Sequence, residues 1–329
     1  MAIFLCQDLD GNAVRTLYLK EAEVEQLVTL PEVIEALERV FRDQASGRAW
    51  TNPRNRLRLP GVTLHMMAGA IPGYFGYKAY TVSASKAQFY FFLYSAESAE
   101  LLALMEADTL GQKRTGAATG LATRILSSPG ATDATLFGAG WQAETQLLAM
   151  DAVRQLKRVW IVNKRTERRQ SFIEKMTPRV KAELVAASSA EEAVRKSQIV
   201  TTITSSREPV FKGEWLQAGV HVNAAGGNML LRREIDDEAV MRSGRIVIDS
   251  IEQAKIESGE FVGVIQTGRR HWEDFVELRD VVAGLKPGRT RPSEITLFKS
   301  LGVALEDVAI GKLVYERAAE RGIGTSLVL

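Results

Sequence analysis

Between Leu136 and Gln146 the chain reads LFGAGWQAETQ, in which Gly138, Gly140 and Ala143 form a G-x-G-x-x-A pattern. After a strand and at the start of a helix, this pattern does defined work: the first glycine permits a tight turn, the second leaves no side chain where backbone must approach a pyrophosphate, and the alanine lets helix and strand pack closely. The free N–H groups of the helix start then face the phosphates. A dinucleotide cofactor is therefore expected. About 20 residues further on, where an NAD-specific protein carries Asp or Glu for the ribose 2′-hydroxyl, the chain offers Asn163-Lys164-Arg165-Thr166. A neutral residue followed by two cations removes repulsion against a 2′-phosphate and supplies charge-assisted donors for it. NADPH is expected ahead of NADH, although KRTERR also suits the solvated start of a helix.

A second set of candidates lies upstream. Arg54, Lys78 and Arg114 could converge on a carboxylate, the arginines by bidentate forks and the lysine with a donatable proton if burial lowers its pKa. Spacing alone leaves a plainer placement open, with the lysine of GYKAY on a solvated strand edge and the arginines of PRNRLRLP on the surface. His65, His221 and His271 are isolated and lack metal-ligand spacing, so no metal is expected. No G-x-S-x-G elbow or reactive cysteine context occurs. The aromatic run QFYFFLY is expected in a core or a dimer interface, with a substrate box as the alternative.

These groups need a scaffold, and the chain of 329 residues is long enough for two domains. From Ala134 onward, nearly continuous apolar or β-branched runs (ATLF, RVWIV, QIVTTIT, GVHVNA, RIVIDS) alternate with helical stretches, the pattern of a doubly wound parallel sheet buried on both faces. Upstream, an amphipathic helix is expected from about Glu21 to Arg48, interrupted near Pro31. Short β-rich runs, RLRLPGVTLHMM, YFGYKAYTV and AQFYFFLYS, then predict an antiparallel or mixed sheet, and a long helix runs through QKRTGAATGLATRIL. The segment from Glu294 to Gly322 reads as helical and is expected to return to the first domain. The expectation is thus an α/β protein with a Rossmann-type domain, residues 121–304, inserted into a second α+β domain of residues 1–120 plus 305–329.

Composition narrows the partners. Lys plus Arg number 42 against 40 Asp plus Glu, so no global field attracts nucleic acid or an anionic membrane. The single Cys6 fits a reducing compartment, and MAIFLCQDLDG lacks a basic flank and a long apolar run, so a cytoplasmic location is expected.

Taken together, R54…HMM…GYKAY, QKRTGAATG, LFGAGWQAE, TTIT, NAAGGNMLLRREID and TLFKSLGVALED resemble, in the same order and over most of the chain, the motifs of the ornithine cyclodeaminase/mu-crystallin family. The resemblance implies a dinucleotide-binding domain inserted into a substrate-binding and dimerisation domain, a homodimer, and a small imino, keto or amino acid as substrate. It assigns Arg54, Lys78 and Arg114 to the substrate carboxylate, with Lys78 beside the reacting carbon. Gly138, Gly140, Gln142, Asn163, Lys164, Arg165, Thr202 and Thr204 would serve the cofactor, with Ser300 and Leu301 near the nicotinamide. His65 stands where cyclodeaminases hold ornithine's distal amino group with a glutamate, which speaks against ornithine. Asn228 replaces the acid/base aspartate of the G-x-D-x-P-G-K-x-E-L motif, Arg232 replaces its lysine, and Glu234 is kept. An amide cannot exchange a proton as a carboxylate does, so cyclising deamination is expected to be lost. Hydride transfer to a preformed C=N asks less: an NAD(P)H-dependent reductase of an α-imino acid or cyclic ketimine carboxylate is implied, the alternatives being a cyclodeaminase-type ammonia lyase and a mu-crystallin-like NADPH and ligand binder.

Overall fold

The computed structural model describes residues 15–328; Cys6 and the segment MAIFLCQDLDG lie outside them. The chain divides into two compact units, Met1–Arg114 with Val303–Leu329, and Thr115–Gly302.

The first unit opens with β1 (Arg15–Leu19), α1 (Glu21–Leu27) and α2 (Leu30–Ala45). The interruption expected near Pro31 is the gap between the two helices. Pro31 occupies the first turn of α2, where a missing N–H costs nothing, and Thr29 and Glu32 close a capping box, the Thr29 N–H donating to Glu32 Oε2 at 2.9 Å. Val33, Ile34, Leu37, Val40 and Phe41 are all buried, as their helical spacing requires. Next come β2 (Trp50–Thr51), β3 (Asn55–Leu59), β4 (Val62–Ile71), β5 (Tyr74–Ser83), β6 (Ala87–Ser95) and β7 (Leu101–Glu106). They form a mixed sheet in the order β16-β1-β7-β6-β5-β4-β2, with β3 on β4; β16 (Thr325–Val328) is contributed by the C-terminal segment, and β1 runs parallel to β7. Helix α11 (Ala304–Arg321) packs on β4, β5 and β6. Because side chains alternate along a strand, the register Met67↔Lys78↔Phe91 sends all three to one face. QFYFFLY is thereby split. Phe91 and Leu93 are buried, whereas Phe92 stacks on Tyr77 at 4.5 Å and Tyr94 on Phe75 at 5.0 Å on the other face.

The division between the units falls within α3 (Asp108–Leu126). The second unit continues through β8 (Asp133–Phe137), α4 (Trp141–Val153), β9 (Arg158–Val162), α5 (Thr166–Met176), β10 (Glu183–Ala186), α6 (Ala190–Lys196), β11 (Ile199–Thr202), β12 (His221–Ala224), α7 (Asp237–Arg242) and β13 (Arg245–Ile248). It is completed by α8 (Ile251–Glu257), α9 (Val262–Gln266), β14 (Val276–Glu277), α10 (Leu278–Val282) and β15 (Thr296–Lys299). All eight strands are parallel, in the order β10-β9-β8-β11-β12-β15-β13-β14. This is a Rossmann-type doubly wound sheet, whose order reverses between β8 and β11, and ligands bind such sheets at the carboxyl ends beside that reversal.

The reading of 294–322 as helical is corrected at its start. Thr296–Lys299 is not helix but β15, wedged between β12 and β13, and only Ala304–Arg321 is helical. All four residues of TLFK are buried. A run that short has no period to separate a buried strand from a buried helix turn.

Candidate active site

The glycine pattern lies where the motif demands. Gly138 ends β8 with φ at +122°, and a Cβ added there would stand 2.5 Å from the Ile203 carbonyl oxygen, so backbone conformation and packing both require glycine. Gly140 is different. Its φ is −99° and an added Cβ would meet nothing within 4 Å. The protein itself does not need glycine there; a group approaching the backbone from outside would. No side chain caps α4, which begins at Trp141, and such a helix start favours an anion. The cradle therefore fits a dinucleotide pyrophosphate.

Beside it is a cleft of about 340 Å³ lined by Gly138, Asn163, Lys164, Arg165 and Thr204, together with Arg168, Ser205 and Ser206, which the sequence reading did not single out. Asn163 Oδ1 accepts the Arg165 N–H at 2.9 Å, folding the turn so that the cations follow directly on the strand end. Lys164, Arg165 and Arg168 are exposed. Other candidates lie deeper: Thr202 is fully buried, its Oγ1 donating to Glu234 Oε2 at 3.0 Å, and Ser300 and Leu301 are buried beyond β15.

A second layer of buried charge ties the strand ends together. Glu234 accepts the N–H groups of Thr204 (2.5 Å) and Gly226 (2.6 Å), linking the chain after β11 to the chain after β12. Lys299, at the end of β15, donates to the Gly227 carbonyl at 2.6 Å and pairs with Glu260 at 3.2 Å. Asn228 follows these two glycines directly and is half-buried. Asp249 accepts the N–H groups of Leu301 and Gly302 at 2.6 and 2.7 Å, and burial pushes its carboxyl up to about 6 despite those donors. Lys299, Glu260 and Asp249 were missed; the available signal was a charged residue closing an apolar strand in TLFK and IVID.

In the first unit Arg54, Lys78 and Arg114 are all buried. Lys78, 2 % exposed, projects from β5 between β4 and β6, which rules out the solvated-edge placement. Its Nζ lies 2.6 Å from Asp307 Oδ1; Arg114 reaches Glu306 Oε2 at 3.2 Å and Asp307 Oδ1 at 3.5 Å; Arg54 Nε donates to Met67 Sδ at 3.2 Å. Glu306 and Asp307 occupy the first turn of α11, where the helix dipole favours carboxylates. Neither was expected, although an ED pair inside the apolar run GVALEDVAIG was a readable sign. Among the described residues, the buried charged side chains of this unit are thus Arg54, Lys78, Arg114, Glu306 and Asp307, and a buried cluster rich in cations suits an anion. Burial lowers Lys78 to about 8, Arg114 and Arg54 push the same way, and Asp307 opposes them.

His65 lies on β4, stacked on Tyr80 with ring centroids 4.2 Å apart. Burial first, then Arg56, Arg54 and Arg58, lower it to about 4, so it is neutral near pH 7. His221 is a satisfied core histidine, 2.9 Å from both Thr296 Oγ1 and Asn223 Oδ1. Among the described residues no three metal-ligating side chains converge, and no helix is long and apolar enough to cross a membrane.

Comparison with known proteins gives a consistent result. The sequence profile of the ornithine cyclodeaminase/mu-crystallin family matches residues 14–322. The chain is 34% identical over 322 residues to the alanine dehydrogenase of Archaeoglobus fulgidus, covering 95% of this chain and 98% of that one. The Δ1-pyrroline-2-carboxylate reductase of Thermococcus litoralis, solved in complex with NADH and L-proline, superposes with a TM-score of 0.90 at 33% identity, over 95% of this chain and all (100%) of the other. An archaeal alanine dehydrogenase dimer with bound NAD gives 0.89 at 33% identity, over 95% and 99%.

Proposed function

The chain belongs to the ornithine cyclodeaminase/mu-crystallin family, and on that premise we propose that it is an NAD(P)H-dependent reductase of a small α-imino acid or cyclic ketimine carboxylate, acting in reverse as an amino-acid dehydrogenase. The observation that carries this reading is the burial of Arg54, Lys78 and Arg114 in one unit, with Lys78 and Arg114 meeting at Asp307. The two guanidiniums hold the substrate carboxylate through charge-assisted bonds. Lys78 Nζ holds the proton that the imine nitrogen takes, directly or through one water, as the C=N carbon becomes sp³. A bound reduced nicotinamide supplies the hydride. Gly138 and Gly140 hold its pyrophosphate, Asn163 its ribose, and Lys164 and Arg165 a 2′-phosphate, NADPH being preferred and NADH the alternative. Residues 121–304 serve the cofactor, and residues 1–120 with 305–329 serve the substrate and the dimer. Asn228, at the position of the cyclodeaminase acid/base aspartate, offers an amide, which does not exchange a proton. A panel of 2-oxo acids with ammonia or methylamine, together with cyclic ketimines, tests the proposal by oxidation of NADPH; ammonia release from ornithine with no net change in cofactor would overturn it.

The pH dependence has a definite sign. A lysine acting as acid must be protonated in the free enzyme, so kcat/KM for reduction should be level below about 8 and fall by about tenfold per pH unit above it. Oxidation of the amine, which needs neutral Lys78, should rise through the same region. Asp307→Asn removes the charge that keeps the proton on Lys78, so both breaks should move to lower pH; a break that stays in place would remove Lys78 from this role.

Lys164→Ala combined with Arg165→Asp is expected to raise Kd for NADPH by at least about tenfold more than for NADH, since exposed charge pairs each contribute modestly and two are lost. Equal weakening of both cofactors would argue against a 2′-phosphate contact.

The homodimer forms through the sheet face opposite α11, where Phe75, Tyr77, Phe92 and Tyr94 stack and Leu57, Leu59 and Met66 are exposed. Light scattering should return twice the chain mass, and Phe75→Asp should return the monomer.

A further inference from the structure

The face of the first unit that bears His65 and Lys78 carries arginines besides Arg54 and Arg114. Arg54, Arg56 and Arg58 alternate with Asn55, Leu57 and Leu59, and alternation along β3 sends Arg56 and Arg58 to the face that bears His65 and Lys78. Arg56 stands directly opposite His65 in the ladder, and Arg58 opposite Thr63. The imidazole is 8 % exposed, and its Nδ1 is buried with no hydrogen-bond partner among the described residues. Tyr80 connects the two regions: its ring is stacked on His65, and its centroid lies 6.0 Å from Lys78 Nζ.

Three kinds of substrate side chain could face this surface, and the chemistry separates them. An ammonium group would meet neutral His65 among three guanidiniums and be repelled. An alkyl group would leave the His65 nitrogen buried and unmatched, at a cost in binding. A carboxylate would accept from both Arg56 and an imidazole N–H, as charge-assisted bonds do best in a partly buried site.

We infer that the substrate is the imine of a short 2-oxo dicarboxylic acid, its 1-carboxylate held by Arg54, Lys78 and Arg114 and its distal carboxylate by Arg56 and His65. This rests on the imine-reductase reading and narrows it. The reaction is unchanged in balance: the C=N carbon gains the hydride of NAD(P)H, the nitrogen gains the proton of Lys78, and both carboxylates pass through unaltered.

The test compares imines formed with methylamine from 2-oxoglutarate and oxaloacetate with those from 2-oxopentanoate and 2-oxobutanoate. The dicarboxylates are expected to show kcat/KM at least about tenfold higher, and Arg56→Met to shrink that ratio by about tenfold or more, with Arg56→Lys restoring part of it. A wild-type preference for monocarboxylates, or an equal effect of Arg56→Met on both, would overturn the inference while leaving the reductase reading intact. Calorimetry of L-glutamate against L-norvaline on the complex with NADP⁺ needs no turnover and gives a second arm, with His65→Leu as the variant should Arg56→Met not fold. Tighter glutamate binding that His65→Leu abolishes supports the subsite even if no imine is reduced, an outcome that would instead sink the reductase reading; equal binding of the two amino acids counts against the subsite.

Discussion

Lys78→Ala is expected to lower kcat for imine reduction by about a thousandfold, within the range usual for loss of a positioned acid, while Kd for NADPH changes by no more than about threefold. Lys78 sits on β5 against Asp307, in a different unit from the glycine loop at Gly138 and Gly140, so the two properties should separate. Lys78→Arg should not restore turnover, because a guanidinium does not give up its proton. Removing the ammonium leaves Asp307, among the described residues, with Arg114 at 3.5 Å as its ion-pair partner, and a buried carboxylate stripped of its nearer partner destabilises the fold. Lys78→Met with Asp307→Asn deletes both charges, so its melting temperature should lie closer to the parent than that of Lys78→Ala while turnover stays lost. Steady-state kinetics beside cofactor titration decides the matter: unchanged turnover, or parallel loss of cofactor binding, would remove Lys78 from the chemistry.

Gly140→Val is expected to abolish cofactor binding, raising Kd by about a hundredfold or more, with a melting temperature within about 2 °C of the parent. An added Cβ at this position meets no protein atom within 4 Å, and a φ of −99° suits any residue; the clash arises only with a pyrophosphate at the start of α4. Gly138→Val provides the contrast. With φ at +122° and the Ile203 carbonyl 2.5 Å from the new Cβ, it should destabilise the second unit itself. A Gly140→Val protein that still binds NADPH normally would show that the cofactor does not use this loop.

The dinucleotide loop was readable because its requirements are local: a strand, a turn and a helix start lie within a dozen residues. The parallel strands were readable too, since burial on both faces demands unbroken apolar runs such as those of β9 and β11. The same rule failed at β15, where four residues are too few to display a period. His65 and Asn228 were legible as departures from a family pattern. Glu306 and Asp307 were visible as residues but not as partners, because the Lys78–Asp307 pair is made by segments 229 residues apart.

The amino-acid order by itself determined the types of the longer elements, the phosphate-binding turn and the supply of cations, all of which follow from backbone propensities and side-chain chemistry acting within a few residues. Only the tertiary structure decided that Lys78 is buried, that Asp307 opposes its loss of a proton, and that Arg56 stands across from His65. Burial, proton affinity and charge balance are properties of what surrounds a group, and those surroundings come from strands and a helix that meet only when the chain has folded.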